Sequence, residues 1–397
     1  MIIIGYAVFA FIIIQQRGIF EYAGVDFRLQ YATGMIIRQK GVAAIYDYAT
    51  QSQYQLPLYQ SFSVDTPASM DFWPLPLPYL AVFCAPMLMW SFFPPMPGFL
   101  VSCLINFLGP LVYGWFFLKR SGMRPKLIHY LYILASVPFF FNLIFGQVNL
   151  WLLVCAGEAY LAFQRQKPIQ SGLWLAGLLL KPQLLLLLIP YFILKRQGRV
   201  LLGFLGGSVT VGFLSIALAG QAAITGPLNT IRSWPTVLGD SGMNLLTLKG
   251  NLDQSFPNIL GTVIVISLTL ITVFLSLYPW FKGGAFHQSI SSPLLFASLL
   301  AAACTIAPHA NIYMALPLIP FLLLSKENQG IPEWIRCIWF CLPSVSFLLL
   351  SGIHVGVAHT LMGTMLLIMN LFIVIWVYID TTSVGNQISN PSGDPTP

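Results

Sequence analysis

Four ionisable residues stand within or beside apolar runs of this chain, where a charge is costly unless something uses it: Asp26, Glu158, Lys181 and His309. Asp26 follows the first apolar segment and opens a stretch with helical spacing. Its carboxylate either caps that helix by accepting an amide hydrogen bond or serves as a general base at the membrane surface. Lys181, in Leu180-Lys181-Pro182-Gln183, is either a lysine snorkelling from a helix end or a cation facing a phosphate. The proline and glutamine beside it imply a break that exposes backbone groups. His309, in Ala307-Pro308-His309-Ala310-Asn311-Ile312-Tyr313, breaks another apolar stretch, as a satisfied core histidine or as part of a site. Glu158 lies mid-span in Cys155-Ala156-Gly157-Glu158-Ala159-Tyr160 and is expected to face the bundle interior and accept a hydrogen bond, a structural role.

Other chemistries lack their residues. The sequence has no phosphate-cradling P-loop, no HExxH, no paired metal-binding carboxylates and no serine nucleophile elbow. His354 and His359 are five apart, so one helix face does not offer both to a metal. The six cysteines fall inside apolar segments without the partners of a zinc site and are expected to pack. Gly352-xxx-Gly356 is a small-residue packing pattern.

The elements that must hold these residues are apolar helices. Charged residues are 8% of the 397 and hydrophobic ones 57%, with a mean hydropathy of +0.78. A soluble domain needs about 25% charge to cover its wet surface, so lipid must be the solvent for most of this one. The length allows about 10 to 13 crossings at roughly 20 residues each plus loops, in a single membrane domain over residues 1–379. The formal charge of +7 gathers in short loops: Lys119, Arg120, Arg124 and Lys126; Arg165 and Lys167; Lys195, Arg196 and Arg199. Such clusters mark cytoplasmic loops, and no basic stripe extends over a folded surface, so no nucleic-acid partner is expected.

Along the chain, residues 1–14 lack a basic leader and a cleavage site and read as a retained first helix. Residues 15–72 form a first loop holding Glu21, Asp26, Asp47, Asp65 and Asp71, five of the twelve acidic residues. Within it, 27–40 has the spacing of an amphipathic helix lying on the membrane surface. Trp73-Pro74-Leu75-Pro76-Leu77-Pro78 leads into a run to residue 92, followed by 97–118, 127–145, 147–163, 169–180, 183–194 and 200–220. A second large loop covers 221–257, then come 258–280, 290–306, 310–324, 334–351 and 356–379, and a tail at 380–397 that its composition gives as disordered. Twelve residues of helix rise only about 18 Å against a core of about 30 Å, so the short pieces must end at a cavity opening to one face. Strict alternation from an external first loop puts the 119–126 cluster outside as well. One segment must therefore be re-entrant, or that loop is an exception to the charge bias.

These residues resemble a known family. Asp26-Phe27-Arg28-Leu29-Gln30-Tyr31-Ala32-Thr33-Gly34, closing at Gly41 and Ile45-Tyr46-Asp47, resembles the first-loop signature of glycosyltransferase family 87. Trp73-Pro74-Leu75-Pro76, Gly146-Gln147-Val148-Asn149, Gly172 through Gly177 to Lys181-Pro182-Gln183, and Pro308-His309 with Tyr313 follow in the family's order, over about residues 15–325. Where the family commonly has an aspartate just before that tyrosine, this chain has Ile312.

The resemblance implies an all-α GT-C-like fold and inverting transfer of a sugar, typically mannose, from a polyprenyl-phosphate donor to a lipid-linked or glycan acceptor. The reaction would lie on the extracytoplasmic face of the plasma (inner) membrane. It implies Asp26 as the base, Arg28, Lys181 and His309 as the cations around the leaving phosphate, and Tyr31, Gln147, Asn149, Gln183 and Tyr313 as substrate contacts. No cofactor is implied, and no metal is demanded, since lysine and arginine can do its work. Three rivals stand beside it: a lipid or sugar transporter or flippase, which inverted repeats would favour, a structural membrane protein, and a related enzyme moving arabinose or an amino sugar.

Overall fold

A computed structural model describes residues 1–62, 72–238, 245–255, 259–278, 292–324 and 332–388; the side chains of 233–238, 253–255 and 381–388 are excepted. Asp65 and Asp71 of the first loop lie outside these residues, as does part of the second loop. Every regular element among the described residues is helical. The first loop folds as α2 (Val25–Lys40) and α3 (Tyr48–Phe62) behind α1 (Ile2–Arg17). A short segment, α4 (Ala81–Cys84), runs on as a 3-10 helix to Phe92. Next come α5 (Pro95–Arg120), α6 (Leu127–Ala135), α7 (Val137–Phe145), α8 (Asn149–Gln164) and α9 (Pro168–Ala176). After them run α10 (Leu185–Leu194), α11 (Gly198–Ala219), α12 (Ala222–Leu238), α13 (Leu248–Ser255) and α14 (Ile259–Leu277). α15 (Pro293–Ile306), α16 (Ile319–Leu323), α17 (Glu333–Ser351) and α18 (Val355–Ile388) complete the chain.

Among the described residues, five helices are long and apolar enough to cross a membrane: α5, α11, α14, α17 and α18 as far as Asp380. A sixth is the pair α6–α7, bent by 61°, where Ser136 is extended ahead of Val137-Pro138 and proline disfavours helix in the residue before it. The expected total of about 10 to 13 crossings includes shorter pieces. The described residues hold six apolar helices of 10–17 residues, among them the first helix, 168–180, 182–194, 293–306 and 312–323. Large side chains such as Leu202, Val209 and Phe213 of α11 and Leu260, Leu270 and Phe274 of α14 are exposed, a surface that suits lipid.

Three details refine the sequence reading. The first-loop helix is where the spacing put it, but it does not lie open on a surface: Arg28, Gln30 and Thr33 are buried along with Phe27, Leu29 and Ala32. The second loop carries helices α12 and α13. The last helix runs to Ile388, past the expected start of the tail, whose remainder lies outside the described residues.

With α6–α7 taken as one bent span, the spans from α5 to α11 alternate in direction. Arg165 donates to the Arg120 carbonyl at 3.1 Å, which joins the end of α5 to the end of α8. At the opposite end, Gly24 N–H donates to the Ile144 carbonyl at 2.7 Å, tying the first loop to the end of α7. The segment 81–92 explains this arrangement. Tyr46 donates to the Tyr79 carbonyl ahead of it, Tyr31 donates to the Phe93 carbonyl behind it, and between them the Met87 carbonyl faces Gly34. The segment folds along α2 and returns to the loop end, so α5 starts there and delivers the 119–126 cluster to the far end.

Glu158 meets the structural expectation. It accepts from Arg120 at 2.5 Å and from Tyr113 at 3.3 Å, a paired charge of the kind a bundle interior tolerates.

Candidate active site

Three separated breaks meet at the loop end. The first follows α7, whose terminal Gly146 is left-handed at φ 69°. Gly146 N–H bonds to the Leu143 carbonyl and Gln147 N–H to the Asn142 carbonyl, the Schellman arrangement that ends a helix at glycine. Gln147 is thereby turned out of the helix line. Gln30 of α2 donates to the Gly146 carbonyl at 2.5 Å, so the break is fixed to the helix that carries Asp26.

The second break is Lys181, extended between the 3-10 turns Gly177–Leu180 and Pro182–Leu184, because Pro182 excludes helical geometry in the residue before it. The third is Ala307–Asn311, where Ala307 is extended ahead of Pro308 and Asn311 accepts from the Ile312 N–H at 2.7 Å to start the next turn. Gln183 donates to the His309 carbonyl at 3.3 Å, joining the second break to the third. Leu246, just before α13, donates to the Ala310 carbonyl at 3.4 Å.

Asp26 does not cap its helix. The cap residue is Gly24, with no side-chain hydrogen bond, and the Asp26 carboxylate instead accepts from the Gln147 side chain. Gln147 in turn accepts from Lys181 Nζ at 3.2 Å, so one buried amide orients a carboxylate and an ammonium against each other. Lys181 is 7% exposed, and its ammonium lies 4.7 Å from the centre of the Tyr313 ring, a favourable cation–π distance. Asn149 donates to the Tyr313 carbonyl at 3.2 Å, while its own Oδ1 is buried with no hydrogen-bond partner among the described residues.

Burial raises the Asp26 pKa above the usual carboxylate value, opposed by the Gln147 hydrogen bond and then by the charges of Lys181 and Arg28. Asp26 is nonetheless half-buried rather than sealed. Arg28, pulled down to about 10 by burial against the opposing pull of Asp26, keeps its charge at neutral pH.

The expected site residues divide into two groups. Asp26, Gln147, Lys181, Asn149 and Tyr313 are linked, and Gln183 joins them to His309 through its backbone carbonyl. Arg28 carries charge to Asp26, but its guanidinium donates to the carbonyls of Phe20 at 3.0 Å and Trp73 at 3.2 Å. It also lies 5.4 Å from each of the Tyr59 and Phe72 rings, with Nε unpartnered among the described residues. Tyr31 spends its hydroxyl on the Phe93 carbonyl at 2.9 Å. Asp47, the other first-loop carboxylate of the signature, is a helix cap: its Oδ2 accepts from the Thr50 N–H at 3.0 Å and from the Thr50 hydroxyl at 2.5 Å. Ile312, where the family commonly has aspartate, is buried at 1% exposure in the apolar core.

Sequence reasoning missed Tyr79. Burial and then the negative charge of Asp26 hold its hydroxyl above the ordinary tyrosine pKa, so it lies within the field of the carboxylate. The available signal was its position directly after the Pro-rich run, where the chain turns back to α2.

Taken together, the site offers a base beside fixed positive charge, at the ends of short apolar helices. That combination suits deprotonation of a hydroxyl next to a developing anion. A family model described as glycosyltransferase family 87 matches residues 78–308. The matched range holds Tyr79, Gln147, Asn149, Lys181 and Gln183; Asp26, Arg28 and Tyr31 precede it, and His309 and Tyr313 follow it. No curated protein and no solved structure matches the chain.

Proposed function

The chain belongs to glycosyltransferase family 87 and is an integral membrane glycosyltransferase, and from that premise we propose that it transfers a hexose, mannose first among the candidates, from a polyprenyl-phosphate donor to a lipid-linked or glycolipid acceptor with inversion. The reaction belongs on the extracytoplasmic face of the plasma (inner) membrane, at the loop end of the bundle. Asp26 takes the proton of the acceptor hydroxyl. The freed oxygen attacks the anomeric carbon from the side opposite the phosphate, and the bond to phosphate breaks with its electron pair on the leaving oxygen. Lys181, with Arg28 and His309, balances that charge; Gln147, Asn149, Gln183 and Tyr313 contact substrate.

The observation that carries this reading is the chain Asp26–Gln147–Lys181, in which one amide joins a carboxylate on α2 to residues of two distant breaks. A preorganised base–cation pair is what acyl or glycosyl transfer needs when negative charge grows on a leaving group. Membership of a glycosyltransferase family sets the transporter alternative aside.

The test uses the purified full chain in nanodiscs with radiolabelled polyprenyl-phosphate mannose and a membrane-lipid acceptor fraction. Wild type should move label to lipid, and Asp26→Asn should lower turnover by roughly 10²- to 10⁴-fold, the usual worth of a general base, at an unchanged thermal midpoint. Near-normal transfer by Asp26→Asn removes it as the base. Folded wild type that uses none of a panel of polyprenyl-phosphate hexoses overturns the donor assignment.

A further inference from the structure

At the far end of the bundle from Asp26, a groove of about 430 Å³ is lined by Lys167, Pro168, Ile169, Gln170, Leu173 and Arg199. It opens where α9 and α11 begin side by side and run parallel. Their backbones touch: a Cβ on Gly172 would collide with the Val200 carbonyl, and one on Gly203 with the Ile169 carbonyl. The two helix starts are therefore held at a fixed separation. Lys167 and Arg199 project at the mouth, both exposed. Neither side chain engages a carboxylate among the described residues, and the nearby Glu158 is already paired with Arg120. Below the mouth the wall turns apolar, with Ile169 at 48% and Leu173 at 50% exposure.

The polarity of the groove therefore changes along its length, from two cations and an amide to branched aliphatic carbons. A free anion would use only the first part. A lipid with an anionic headgroup uses both, its phosphodiester between a guanidinium fork and an ammonium and its acyl chains along Ile169 and Leu173. We infer that this groove binds the headgroup of an anionic phospholipid from the leaflet at the basic end, with Lys167 and Arg199 as the phosphate ligands. The site is separate from the transferase chemistry, being at the other end of α9 from Lys181.

Native mass spectrometry of the purified full chain with added phosphatidylglycerol or phosphatidylcholine tests it. Wild type should retain one phosphatidylglycerol in preference to phosphatidylcholine. Lys167→Ala/Arg199→Ala should weaken that retention about thirtyfold, from the usual attraction of two interfacial cations. Lys119→Ala/Arg124→Ala, which removes as much exposed charge outside the groove, should leave it unchanged. Equal loss in the two double variants would mean diffuse charge attraction and overturn the site. So would equal retention of both lipids by wild type, or displacement of the lipid by inorganic phosphate at comparable concentration. If the groove variant does not fold, Lys167→Gln/Arg199→Gln carries the same expectation.

Discussion

Asp26 occupies the first turn of α2, where a carboxylate ordinarily satisfies free backbone amides, yet its partner is the side chain of Gln147 from the break after α7. The consequence is a carboxylate whose ionisation is set by neighbours remote in sequence. Burial raises its pKa, and Lys181 and Arg28 hold it down. As a base it must be ionised, so activity should be lost as pH falls through its pKa. The acid limb of kcat/KM should therefore lie above the value of about 4 of an ordinary carboxylate. Lys181→Ala removes an attraction to the charged form, so it should move that limb to still higher pH while raising KM for the donor more than for the acceptor. A lysine that merely packs would leave the limb where it is and affect both substrates alike. The same measurement on Arg28→Met should also move the limb upward, with a loss of thermal stability as well, because its two bonds to carbonyls are broken.

The breaks that make the site were legible in the sequence because proline and polar residues interrupt apolar runs there: Gly146-Gln147, Lys181-Pro182 and Pro308-His309 each have a local cause. What was not legible depends on contacts between distant segments. The enclosure of α2 comes from 81–92 folding along it, and neither stretch carries a local signal of that contact. Tyr79 within the field of Asp26, and Arg28 bonded to Trp73, arise from the same return. Gly146 is where the local and the distant meet, since its left-handed backbone ends α7 while a Cβ there would lie 2.7 Å from the Phe27 Cβ. Gly146→Ala should therefore combine backbone strain with a collision against α2 and cost about 2 to 4 kcal/mol, read as a lowered thermal midpoint together with lost transfer. Gly212→Ala in α11, which meets nothing within 4 Å, should leave both unchanged. If the two variants behave alike, the docking of α2 on the end of α7 is not what holds Asp26 in place.

At the scale of the molecule, the two ends of the bundle carry different chemistry. α8 starts at Asn149 beside Tyr313 and finishes next to Arg165, 16 residues later, a rise of about 24 Å. α9 then starts by Lys167 and leads back to Lys181. Basic loops therefore collect at one end and the Asp26 cluster at the other, and the conflict that strict alternation creates in the sequence disappears once 81–92 returns without crossing. The bias of Lys and Arg toward the cytoplasm then predicts the far end inward and Asp26 outward. Single cysteines in place of the exposed Gln53 on α3 and the exposed Arg124 in the 119–126 loop, in a chain with its six native cysteines replaced by serine or alanine, test this directly. A membrane-impermeant maleimide should label position 53 in right-side-out vesicles and position 124 only in inverted ones. Labelling of both from one side would mean that 81–92 crosses after all. The reverse pattern would keep the two-ended bundle but turn Asp26 toward the cytoplasm, and so require a donor presented from that leaflet.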